Sequence, residues 1–128
     1  MESIIASGIE GKQEISVTSD KTATAFGSGT VEVFATPAMI ALMEQTAMES
    51  VARLLPKTSV SVGFEVSVKH VKATLPGKKV TCFTKLILAE GKKLVFEVQA
   101  SDESGLIGKG THTRYIVDKQ EFINNIKD

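Results

Sequence analysis

The chain has 128 residues, 42% of them hydrophobic and 23% charged, a composition that supports one packed core over 1–128 and excludes wholesale disorder or a fibrous repeat. Lysine plus arginine number 15 and aspartate plus glutamate 15, so the net charge is zero and no global basic field is present to grip nucleic acid or anionic lipid. The most apolar stretch, Pro37 to Leu55, is broken by Glu44, Gln45, Thr46, Glu49, Ser50 and Arg53, which excludes a membrane span.

The first residues, MESIIASGIEGKQE, have no basic segment leading into an apolar one, so no secretory signal is expected. The lone Cys82 has no partner for an intramolecular disulfide. A reducing cytoplasm is the expected setting. In chain order, KQEISVT at 12–18 puts Ile15 and Val17 on one face and predicts a strand, and SDKTATAFGSGT predicts a loop. A helix is predicted from about 37 to 55, with the Thr36 hydroxyl as cap and Pro37 in the first turn.

Four strand-like runs follow. From Val60 to Lys72 the alternation predicts Val60, Val62, Phe64, Val66 and Val68 on one core face. A turn at Leu75-Pro76-Gly77 leads into VTCFTKLILA, and Glu90-Gly91-Lys92 turns the chain into KLVFEVQA, whose Leu94, Phe96, Val98 and Ala100 share a face. After SDESG comes LIGKGTHTRYIV, and Asp118 with Glu121 has the spacing of a capping box for a short final helix. One helix with four strands joined by short hairpins predicts an α+β fold: an antiparallel meander wrapped around the helix. Met39, Leu42, Met43 and Leu54 give the helix more apolar surface than one chain readily covers, which predicts a homodimer or higher homo-oligomer.

On a helical wheel Glu44 falls among Pro37, Ile40, Ala41, Ala47, Met48, Val51 and Leu55. A carboxylate among apolar neighbours is either a hydrogen-bonded structural group or a general base or nucleophile. Glu49 lies nearer Gln45 and Arg53 and needs no such explanation. His70 extends the parity of Val60 to Val68 and is expected at the edge of the core. Gly108, Gly110, His112 and Arg114 share one parity, as small residues admitting a neighbour require, and Arg114 can pair with Glu44 or a ligand phosphate. The chain has no paired cysteines, zinc-type histidine spacing or GxSxG turn, so neither a metal site nor a serine-hydrolase elbow is expected.

The strings FATPAMIALMEQTAMESVARLL, SVGFEVSVKHV and IGKGTHTRYIVD together resemble the hotdog-fold acyl-CoA thioesterases of the fluoroacetyl-CoA thioesterase-like type, over about residues 30 to 118. The resemblance implies a hotdog fold, an antiparallel sheet wrapped around one long helix. It also implies a dimer with sites near the subunit interface and hydrolysis of an acyl-CoA thioester without cofactor or metal. It assigns Thr36, Glu44 and His70 to the catalytic group, and Gly63 and Arg114 to substrate binding. The segment GSGTVEVFA before Thr36 is small where the specialised enzyme presents bulkier apolar residues, which predicts a broader or different acyl range. Two other functions fit the fold: a non-catalytic acyl-CoA-binding domain, which gives no reason for Thr36, Glu44 and His70 to occur together, and an enoyl-CoA hydratase, which would consume substrate without releasing thiol.

Overall fold

A computed structural model describes residues 5–127 of the chain, and residues 1–4 and 128, at the ends of the predicted domain, lie outside the described residues. β1 (Glu10–Ser16) leads through a single 3-10 turn and a short helix, α1 (Ala23–Phe26), to the long helix α2 (Thr36–Ala52). Strands β2 (Ser59–His70), β3 (Lys79–Glu90), β4 (Lys93–Asp102) and β5 (Gly105–Asp118) follow, and α3 (Lys119–Ile126) ends the chain. All strands pair antiparallel in one sheet of order β1-β3-β4-β5-β2.

The expected four-strand meander is therefore only three strands long, β3-β4-β5. The segment between β2 and β3 carries the chain across the sheet, so β2 lies on the far side of β5 and β1 takes the open side of β3. Among the described residues both β1 and β2 are edge strands, and β2 presents twelve residues of backbone with no described strand on its outer side.

α2 touches all five strands, and its inner face, Met39, Met43, Ala47 and Val51, is sealed against Val80 and Leu86 of β3 and Leu94 and Phe96 of β4, all fully buried. The fold class of the sequence reading is thus the observed one: a sheet wrapped around a single helix. Alternation on β4 holds as predicted, with Leu94, Phe96, Val98 and Ala100 all inward. Asp118 caps α3 by accepting from the Glu121 N–H at 2.9 Å. No described helix is long and apolar enough to cross a membrane.

Three expectations are corrected. α2 ends at Ala52, where the chain leaves the sheet, so Leu54 and Leu55 fall in the following turn. Met39, Leu42 and Met43 are covered by the chain's own sheet and supply no surface for a second copy. The surface left bare on α2 is the next face round, where Pro37, Ala41 and Met48 are exposed and Ile40 and Glu44 half-buried. On β2 the regular alternation fails. The register against β5 slips between Gly63 and Glu65, which makes Phe64 an extra residue. One extra residue reverses the parity, so Ser61 faces the core before the bulge and Val66, Val68 and His70 turn inward after it. Phe64, expected in the core, is 70% exposed and meets Tyr115 edge-on at 5.1 Å.

Candidate active site

The candidate residues fall into two clusters at opposite ends of β2. The first is built where α2 begins. The approach to the helix is fixed by backbone bonds: the Phe34 N–H donates to the Thr74 carbonyl at 2.8 Å and the Ala35 N–H to the Lys21 carbonyl at 2.9 Å. These bonds make Ala35 the N-cap residue, and no side chain caps the helix. The expectation that Thr36 acts as the cap is therefore overturned. One position further on, its hydroxyl lies 2.8 Å from Nδ1 of His70, the last residue of β2.

His70 stands edge-on to Phe34, with ring centroids 6.3 Å apart. Its Nε2 is buried and has no hydrogen-bond partner among the described residues. Burial disfavours the imidazolium and pushes the His70 pKa below its ordinary value, against the smaller opposing effect of a backbone hydrogen bond at Lys72. The result is a neutral imidazole with one nitrogen on a hydroxyl and the other unsatisfied, the state in which a histidine can take or give a proton. Beside the pair lies a cavity of about 300 Å³ lined by Val33, Phe34, Thr36, Pro37, His70 and Ala73 among others.

The second cluster surrounds Glu44. Its side chain is 40% exposed: of the apolar neighbours read from the helical wheel, Ala47 and Val51 are core, but Pro37, Ala41 and Met48 belong to the bare face of α2. The Glu44 carboxylate lies 4.0 Å from Nη1 of Arg114, whose own side chain is only 7% exposed. Arg114 is held by Ser61: Nε donates to Oγ at 2.8 Å and Nη2 to the carbonyl oxygen at 2.9 Å. Gly63 is the place on β2 where the carboxylate comes to rest, since a Cβ built there would stand 2.8 Å from Oε2 of Glu44. A side chain at 63 would make the carboxylate, the far end of a flexible side chain, shift, so glycine here sets where Glu44 rests. Glu49 is explained locally, as an acceptor from Gln13 and Gln45.

All five residues singled out by sequence thus have a partner in one cluster or the other, but a single chain does not bring them together. Eight residues of helix separate Thr36 from Glu44, about 12 Å along the axis. Seven residues of strand separate Gly63 from His70, on the order of 20 Å. Reading the sequence missed Ser61, the anchor of Arg114, because strict alternation placed it outward. The signal that could have found it was Gly63 itself, since a glycine inside a strand marks a bulge. Gly108 and Gly110 act as their small size predicted: a Cβ on Gly108 would meet Met39, and one on Gly110 would strike the backbone of β2.

Comparison with known proteins meets this geometry with a family. A family model described as fluoroacetyl-CoA-specific thioesterase matches residues 17–120. The chain belongs to this family. A curated relative, the fluoroacetyl-CoA thioesterase of Streptantibioticus cattleyicolor, is 38% identical over 91 residues, covering 71% of this chain and 66% of that protein. The solved structure of a fluoroacetyl-CoA thioesterase superposes with a TM-score of 0.90 at 30% identity, covering 95% of each chain. A thioesterase superfamily member from Thermus thermophilus superposes with a TM-score of 0.87 at 28% identity, over 94% of this chain and 90% of that one. Family membership spans both clusters and the whole of β2.

Proposed function

We propose that the chain is an acyl-CoA thioesterase whose site is completed by two copies, Thr36 and His70 coming from one and Glu44, Gly63 and Arg114 from the other. The observation that carries the reading is the pairing of the Thr36 hydroxyl with His70 at one end of β2 while the Glu44 carboxylate lies partly exposed beside Arg114, toward the other. Antiparallel pairing of the open β2 edge with the β2 of a second copy, about an axis near Val66 and Ser67, would bring the opposite ends of the two strands together. The same contact would cover the bare face of α2. A homodimer is therefore part of the proposal, and the cytoplasm remains the proposed location.

In the completed site Glu44 attacks the thioester carbonyl or activates the water that does, and His70 delivers a proton to the sulfur of the departing thiol. Thr36 fixes the imidazole through Nδ1, leaving Nε2 for the reaction. Gly63, without a side chain, admits the thioester to the backbone beside Glu44. Arg114 holds the carboxylate by charge at 4.0 Å. The segment GSGTVEVFA before Thr36 is exposed from Gly27 to Glu32 and carries one aromatic, Phe34, buried beside His70, and a broader or different acyl range remains part of the proposal.

Thiol release from a panel of short, medium and aryl acyl-CoA thioesters tests the reading. Native chain is expected to release thiol, and Glu44→Ala to lose at least about a hundredfold in kcat while remaining folded. Release that Glu44→Ala leaves intact would remove Glu44 from the mechanism. Consumption of an enoyl-CoA without thiol release would favour the hydratase reading.

A further inference from the structure

His112 is a buried titratable group that the mechanism above does not use. It is 1% exposed on the inner face of β5, beside the bulge in β2 and stacked near Phe96 at a centroid distance of 6.4 Å. Its Nδ1 lies 2.8 Å from the carbonyl oxygen of Glu65, and its Nε2 lies 3.1 Å from Nη1 of Arg114. Both contacts are one-way. A carbonyl only accepts, so Nδ1 must carry the hydrogen; a guanidinium only donates, so Nε2 must carry the lone pair. The surroundings thus define one neutral tautomer, and an imidazolium would turn an N–H toward the N–H of Arg114.

We infer that His112, as the neutral Nδ1–H tautomer, is the positioning residue that aims Arg114 at the carboxylate of Glu44. A guanidinium is planar and its N–H directions are fixed. Ser61 holds Nε and Nη2, and His112 takes one of the two hydrogens on Nη1, so the direction of the other is set. Glu44 Oε2 is the carboxylate oxygen beside that nitrogen, at 4.0 Å. The bulge makes this possible: with Phe64 expelled to the surface, Ser61 and the Glu65 carbonyl both serve the same buried pair. The charged groups that face the ring are Arg114 on its own strand and Glu44 on α2. A leucine or phenylalanine would fill the space with less desolvation cost, and only a ring with a lone pair at Nε2 also orients the cation.

The inference rests on the thioesterase reading for its catalytic consequence, and the test separates the two. On native chain at neutral pH, long-range ¹H–¹⁵N correlation reads the ring without substrate; the expected result is the Nδ1–H tautomer together with a slowly exchanging Arg114 Nε–H signal. His112→Phe, which keeps the packing and loses the lone pair, is expected to broaden or lose that signal and to lower kcat for thiol release about tenfold or more, with KM changed by less than about twofold. His112→Gln, whose amide oxygen can accept from Nη1, is expected to restore most of both. His112→Phe combined with Arg114→Ala should lose no more than Arg114→Ala alone. An Nε2–H tautomer, an imidazolium, an unchanged kcat in His112→Phe, or additive losses in the double variant would overturn the inference. Native chain that releases no thiol would instead overturn the thioesterase reading, and the tautomer and the Arg114 signal would still decide the role of His112.

Discussion

Gly63 shows how a single residue type sets the geometry of the carboxylate. Its missing side chain leaves the space that Oε2 of Glu44 occupies, and a methyl group there would stand 2.8 Å away. Gly63→Ala is expected to displace Glu44 and lower kcat about tenfold or more while the melting temperature moves by only a few degrees, a split that steady-state kinetics and calorimetry together would reveal. The two histidines give a second prediction at this scale. Burial lowers the pKa of both His70 and His112 in the folded chain, so the unfolded chain binds protons at higher pH than the folded one. Stability is therefore full above the ordinary histidine value of about 6.5 and declines as pH falls through it toward the depressed folded values. Urea midpoints measured between about pH 7.5 and pH 5 should fall on acidification, and the fall should be shallower in His112→Gln.

Among the elements, β2 does the most to place chemistry. It ends at His70, carries Gly63 at its bulge, and supplies Ser61 to Arg114. The segment that follows is held by Asp102 at the end of β4, which accepts from Thr74 Oγ1 at 2.8 Å, from the Ser104 N–H at 2.8 Å and from Lys72 Nζ at 3.1 Å. Thr74 in turn offers its carbonyl to the Phe34 N–H, tying this segment to the start of α2. Asp102→Ala would leave the buried Thr74 hydroxyl unpaired and is expected to cost about 1–3 kcal/mol in chemical denaturation. It should also raise local hydrogen exchange around residues 71–75. Periodicity made the long helix and the β4 face legible, because α2 and β4 each keep one period throughout. β2 was legible only beyond the bulge, from Val66 to His70, and misread before it, since a bulge changes parity without changing composition. The candidate site was legible as residue types and spacings; the Thr36–His70 bond was not, because Thr before Pro reads equally well as a cap.

At the scale of the molecule, the chain looks half-finished. The helix face bearing Glu44 is bare, β2 has an open edge, and the Thr36–His70 pair lies about 20 Å from Gly63 along that edge. Of the apolar residues first read as a dimer surface, Met39, Leu42 and Met43 turn out to be core while Leu54, beyond the helix end, is exposed. The uncovered residues of α2 lie on the adjoining face, because a sheet that curls around a helix covers more than one stripe of it. A site divided between two copies accounts for the separation of the clusters, the unsatisfied Nε2 of His70 and the exposure of Glu44 together. The most direct measurement is complementation between Glu44→Ala and His70→Ala chains, each inactive alone, refolded together in equal amounts. A site shared across the dimer gives each mixed dimer one intact site of two. Thiol release should then return to about a quarter of the native specific activity, since half of randomly formed dimers are mixed. Mixtures that stay inactive although mass spectrometry shows mixed dimers would contradict the account.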